Sequence, residues 1–102
     1  KDLQVNLATD YGSTALFMAS QEGHLEVVRL LLSKSEIDIN KATDNGITAL
    51  YWASQNGHLE VVRLLLSKSE IDINKDADGW TPLAAAKQEG HTEIVKLLEN
   101  HN

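Results

Sequence analysis

The stretch HLEVVRLLLSKSEIDINK, residues 24–41, recurs letter for letter at 58–75. Ahead of it, DYGSTALFMASQEGH (10–24) returns as DNGITALYWASQNGH (44–58), so 10–41 and 44–75 agree at 27 of 32 positions. The five differences are Tyr11 to Asn45, Ser13 to Ile47, Phe17 to Tyr51, Met18 to Trp52 and Glu22 to Asn56. A third, looser copy begins at Asp78 and keeps Thr81, Leu83, Ala86, Gly90, His91, Glu93, Val95, Leu97 and Leu98. Gly12, Gly46 and Gly79, like His24, His58 and His91, stand 34 and 33 residues apart. A period of this size means one supersecondary unit per copy, each burying its apolar surface on its neighbours.

Each unit reads as two helices. The first starts at Thr14, Thr48 or Thr81, whose hydroxyl can accept from the free N–H groups of the opening turn. Pro82 follows the third of these threonines, at a position where a missing N–H does no harm. Gly23, Gly57 or Gly90 ends the helix, glycine being the residue that most readily adopts a left-handed cap. The second helix is LEVVRLLL, with Glu26 near its positive end and Arg29 one turn on. Its other positions are apolar nearly all round, which fits a helix held between its partner and both neighbouring units. Between units, IDIN alternates apolar and polar, and KATDNG or KDADG supplies turn residues, predicting a hairpin-like finger rather than a long strand.

The pattern G-x-T-[AP]-L-x-x-A-x-x-x-G-H-x-E-[VI]-V-[RK]-L-L, with IDIN between copies, resembles the ankyrin repeat and covers residues 10–98. The resemblance implies an all-α solenoid of three helix-turn-helix units joined by β-hairpin-like loops. It also implies a non-catalytic, cupped module that binds another protein through finger tips and inner helices. The family's T-P-L-H tetrapeptide stands here as Thr14-Ala15-Leu16-Phe17, Thr48-Ala49-Leu50-Tyr51 and Thr81-Pro82-Leu83-Ala84. Its histidine is therefore missing throughout, and Phe17 and Tyr51 are expected to fill that space by packing. The family's glycine after the second helix is replaced by Ser-Glu in SKSEIDIN. We read 1–102 as one domain: 1–9 a partial leading hairpin, 10–43 the first repeat, 44–77 the second, and 78–102 a C-terminal capping repeat.

Composition narrows the chemistry. Hydrophobic residues make up 42% of the 102, enough for a packed core, and no apolar run approaches a membrane span. No leader-like segment is read at the start. There are no cysteines, which removes disulfides and thiolate chemistry and suits a cytoplasmic location for a natural chain. A net charge of −6 with no Lys/Arg cluster argues against nucleic acid. No phosphate-loop, dinucleotide or serine-nucleophile motif is present. The repeated carboxylates Glu26, Glu60, Glu93, Asp38 and Asp72 are spread along the array rather than converging on a pocket. Histidines one per repeat stand about 8–10 Å apart, a helix-packing distance, whereas metal ligands sit about 2 Å from their ion. They read as structural groups that bond a turn or neighbouring finger, and neither a metal nor a cofactor is expected.

All five aromatics, Tyr11, Phe17, Tyr51, Trp52 and Trp80, fall in the finger and first helix. Exposed Trp, Tyr and Met favour protein contact because they offer large area for little rotamer entropy. The expected contact residues are Tyr11, Ser13, Met18, Glu22, Asn45, Ile47, Trp52, Asn56, Trp80 and Ala85, with Gln21 and Gln55 beside them. The clustering of the differences in fingers and inner helices, sparing 18 consecutive residues, resembles designed ankyrin repeat proteins. A young tandem duplication is the alternative history. At the C-terminal end Leu59 becomes Thr92, Leu66 becomes Glu99 and Ser67 becomes Asn100, the polar outer face a terminal repeat needs. The first repeat lacks such a change, predicting an exposed apolar face and end-to-end self-association there.

Overall fold

The computed structural model describes residues 14–101. Six helices follow one another: α1 (Ala15–Glu22), α2 (Leu25–Leu32), α3 (Ala49–Gln55), α4 (Leu59–Leu66), α5 (Pro82–Glu89) and α6 (Thr92–Asn100). They form three antiparallel pairs stacked into an array measuring 41 × 25 × 23 Å. The first helices of successive pairs pack more closely than the second helices do. The array therefore curves with α1, α3 and α5 on its inner side.

The caps follow from the sequence. Thr14 Oγ1 accepts from the Phe17 N–H at 3.1 Å, and Thr48 and Thr81 repeat this with Tyr51 and Ala84 at 3.2 Å. Gly23 and Gly90 close α1 and α5 in the left-handed region. The helix α3 ends one residue earlier, at Asn56, and Gly57 then takes the same left-handed conformation at φ +76°. The second helices α2 and α4 stop without glycine: Ser33 and Ser67 remain right-handed, and each hydroxyl donates to the carbonyl three residues back, Leu30 or Leu64, at 2.6 Å. Ser33 and Ser67, two residues ahead of the Ser-Glu replacement, thus end the helix by side-chain bonding to an orphan carbonyl.

The fingers are turns. Among the described residues the one bridge joins Ala77 and Trp80, and the preceding finger closes through Thr43 N–H to Ile47 O at 2.9 Å. Adjacent fingers touch, because a Cβ on Gly46 would lie 2.7 Å from the Asp76 carbonyl oxygen. At their base, Asn40 links two units: Nδ2 donates to Glu70 O at 2.8 Å, and Oδ1 accepts from Asp72 N–H at 2.7 Å. Leu16, Val28, Ile39, Leu50, Val62, Leu65, Ile94 and Leu98 run through a single continuous core.

Candidate protein-binding surface

The three units share one register, so a position can be followed from repeat to repeat. Position 18/52/85 is the most informative. Trp52 is half-buried, its ring meeting Phe17 of the preceding unit edge-on at 6.5 Å and Tyr51 at 5.9 Å. Ala85 is 2% exposed, and Met18, which has no described helix pair ahead of it, is 45% exposed. This position points at the preceding unit, not into an open concavity. Two expectations are corrected by that geometry. Ala85 leaves the contact set, because a short side chain facing a neighbouring helix has no free surface. Trp52 is a wedge in the joint between α1 and α3 before it is anything else.

Asn56 is corrected in the same way. Its side chain donates to the Gln21 carbonyl at 3.1 Å, and His58 Nε2 lies 2.9 Å from the same oxygen. The amide reaches back across the joint, so Asn56 is a repeat-to-repeat tie as well as an exposed residue. His91 makes the matching contact with Gln55 O at 2.9 Å. A carbonyl oxygen only accepts, so Nε2 carries the proton in both rings. Phe17, 7% exposed, and Tyr51, half-buried, fill space as packing groups. Of the five differences between the first two units, those at 17/51, 18/52 and 22/56 thus involve the α1–α3 joint.

What remains on the surface lies in the fingers. Trp80 is 43% exposed, Asn45 is exposed, and Ile47 is half-buried with both backbone groups tied to Thr43. Glu22 is exposed on α1, and the side chains of Gln21 and Gln55 are half-buried beside the joints. Tyr11 and Ser13 lie outside the described residues.

The outer side carries no converging chemistry. Glu26, Glu60 and Glu93 each pair along their own helix, with Arg29 and Arg63 at 3.4 Å and Lys96 at 3.9 Å. A shallow groove of about 560 Å³ between α4 and α6 is lined by Arg63, Leu66, Ser67, Glu93, Lys96 and Leu97, among others. Its hydroxyl, Ser67, is committed to the Leu64 carbonyl, and its carboxylate to Lys96. No cluster of three His, Cys, Asp or Glu side chains among the described residues could hold a metal. Nor is any described helix long and apolar enough to cross a membrane.

Stacked helix pairs with capping threonines, glycine turns and touching fingers define a helical repeat solenoid. The family model for ankyrin repeats in three copies matches residues 37–102, and the single ankyrin repeat model matches 11–44. The chain belongs to the ankyrin repeat family. No curated protein matches it.

Proposed function

We propose that this chain is a non-catalytic protein-binding module whose partner lies along the fingers and the adjoining inner helix edges. The observation that carries this reading is Trp80. A tryptophan 43% exposed at a finger tip, flanked by backbone bonds that hold its own turn (Trp80 N–H to Ala77 O at 3.0 Å), is a rigid apolar anchor. Asn45 and Ile47 on the neighbouring finger extend the same ridge, since the two fingers touch at Gly46. Glu22, Gln21 and Gln55, at the C-terminal ends of α1 and α3, and Tyr11 and Ser13, which match Asn45 and Ile47 in sequence register, complete the proposed contact set. Met18, Trp52 and Asn56 contribute through what their joint leaves exposed.

Trp80→Ala tests this. Partner capture is expected to fall by about tenfold or more, the effect of a hot-spot truncation, with the thermal midpoint nearly unchanged. Undiminished capture by the variant overturns the reading.

A second reading is an engineered repeat scaffold without a natural partner, supported by the unchanged 24–41 and 58–75 stretches. A natural chain of this kind is assigned to the cytoplasm. Self-association through the apolar end of the first helix pair is part of the protein-binding proposal.

A further inference from the structure

Asparagine stands seven times in the chain, but only Asn45 and Asn56 precede a glycine, Gly46 and Gly57. Both pairs fall in the second unit; the matching positions hold Tyr11 and Asp78 in the one case, Glu22 and Glu89 in the other. A following glycine has no Cβ to obstruct its own nitrogen, which can therefore reach the asparagine side chain more readily than any other residue's can. That nitrogen gives its proton to water or hydroxide and bonds to Cγ. The Cγ–Nδ2 bond breaks, the amide leaves as ammonia, and a five-membered imide remains. Water then opens the imide. Entry at the side-chain carbonyl gives aspartate; entry at the main-chain carbonyl gives isoaspartate, whose backbone runs through Cβ. Water and base are the only co-reactants.

The two pairs sit on different backbone. Asn45 and Asn56 are both exposed, so access of water does not separate them. Ring closure requires the glycine nitrogen to swing about the Cα–C bond until it eclipses Cβ. Asn56 has ψ 2°, which sets the Gly57 nitrogen against the nitrogen of Asn56 itself. Moving it breaks the Asn56 N–H bond to Trp52 O and the His58 N–H bond to Ala53 O, each 2.9 Å. It also unseats Gly57 from the His91 ring, which a Cβ there would meet at 2.7 Å. The leaving group is held as well, since Nδ2 donates to the Gln21 carbonyl at 3.1 Å across the joint. Ala53, Val61 and Val62 on either side of this turn are buried, so it opens only with the core of its unit.

Asn45 lies in a finger. Its turn is closed by Gly46 N–H to Thr43 O and Thr43 N–H to Ile47 O, each 2.9 Å, and by Ile47 N–H to Thr43 Oγ1 at 3.2 Å. These bonds tie one turn to itself and open without disturbing a helix. Among the described residues the Asn45 side chain has no hydrogen-bond partner. We infer that Asn45 is a site of spontaneous deamidation in the folded protein, and that Asn56, in the same dipeptide, is protected until the second unit opens. The third finger already carries a carboxylate, Asp78, ahead of its glycine. Aspartate at 45 thus leaves a finger of the same chemistry, whereas isoaspartate lengthens the backbone within the turn and spoils the Thr43–Ile47 closure. The inference stands apart from the finger-contact reading, because both reacting groups belong to the chain.

Prolonged incubation of the full chain at mildly alkaline pH, in buffer and in guanidinium chloride, tests it. Chymotryptic cleavage after Tyr51 or Trp52 separates the two pairs for mass spectrometry, in which each conversion exchanges an amide NH₂ for OH. In buffer, Asn45 is expected to convert faster than Asn56 by about tenfold or more, a ratio set by the difference between opening a turn and opening a unit. In guanidinium chloride the two should convert at similar rates. Comparable rates in the folded chain overturn the inference. So does an Asn56 that stays slow once unfolded, which would place its protection in the local sequence rather than in the fold. Asn45→Gln, whose longer side chain would have to close a larger ring, should keep the melting midpoint and lose the acidic variant that ion exchange resolves from the aged chain. An acidic variant that persists undiminished puts the reaction elsewhere and also overturns the assignment.

Discussion

His58 Nε2 lies 2.9 Å from the carbonyl oxygen of Gln21, one unit earlier in the array, and Asn56 donates to the same oxygen. His91 makes the same contact with Gln55, but the residue standing where Asn56 stood is Glu89, which cannot donate when ionised. The two histidines therefore do not contribute equally. His91→Ala leaves the Gln55 oxygen without its cross-unit donor and is expected to cost about 1–3 kcal/mol. His58→Ala leaves Asn56 in place and should cost about 1 kcal/mol. Urea unfolding of both variants checks the order, and equal midpoints would show that the shared acceptor does not matter.

Gly57 and Gly90 have the same left-handed backbone, φ +76° at each, yet different surroundings. A Cβ on Gly57 would come 2.7 Å from the His91 ring, whereas Gly90 has open space around it. Gly90→Ala therefore carries only the backbone strain of an L-residue in that region, about 1 kcal/mol. Gly57→Ala adds displacement of the His91 ring and loss of its bond to Gln55, for a total of about 2–3 kcal/mol. Comparing the two midpoints by calorimetry tests this, and the ranking should disappear in a His91→Ala background.

Ser20 and Ser54 are fully buried, and neither hydroxyl has a hydrogen-bond partner. An unpaired buried hydroxyl opposes folding, and alanine also has the higher helix propensity. Ser20→Ala and Ser54→Ala are each expected to raise stability by about 1 kcal/mol, read as a higher urea midpoint at unchanged slope. A loss of stability in either variant would mean that the hydroxyl bonds a group across the joint.

The fold was legible because everything that makes it is local and repeated. Thr14, Thr48 and Thr81 announce helix starts, Gly23, Gly57 and Gly90 their ends, and shifts of 34 and 33 residues map each unit onto the next. The kinship of α2 and α4 was legible too, since Val27 and Leu30 repeat Val61 and Leu64 letter for letter. The binding surface was less so. Asn56 and Trp52 read as free positions because they differ between copies, but a helix position does not reveal which neighbour it meets. That depends on the rotation of one pair against the next, which places 18, 52 and 85 on the face toward the preceding unit. Ala85 was the available clue: a small residue opposite a large one fits a joint better than an anchor.

Trp52 is where these two readings separate most sharply. Its indole meets Phe17 and Tyr51 edge-on across and beside the joint, so truncation removes two aromatic contacts and opens a gap between α1 and α3. For a half-buried ring the expected cost of Trp52→Ala is about 2 kcal/mol, with Trp52→Phe recovering about half by keeping a ring in the gap. A repeat array distributes such a loss along nearest-neighbour terms. The first unit should accordingly fray before the other two, visible as faster hydrogen exchange in α1 and α2 than in α5 and α6. If Trp52→Ala instead melts with the full chain and exchange is unchanged, the ring is a surface group and belongs with Trp80 in the contact set.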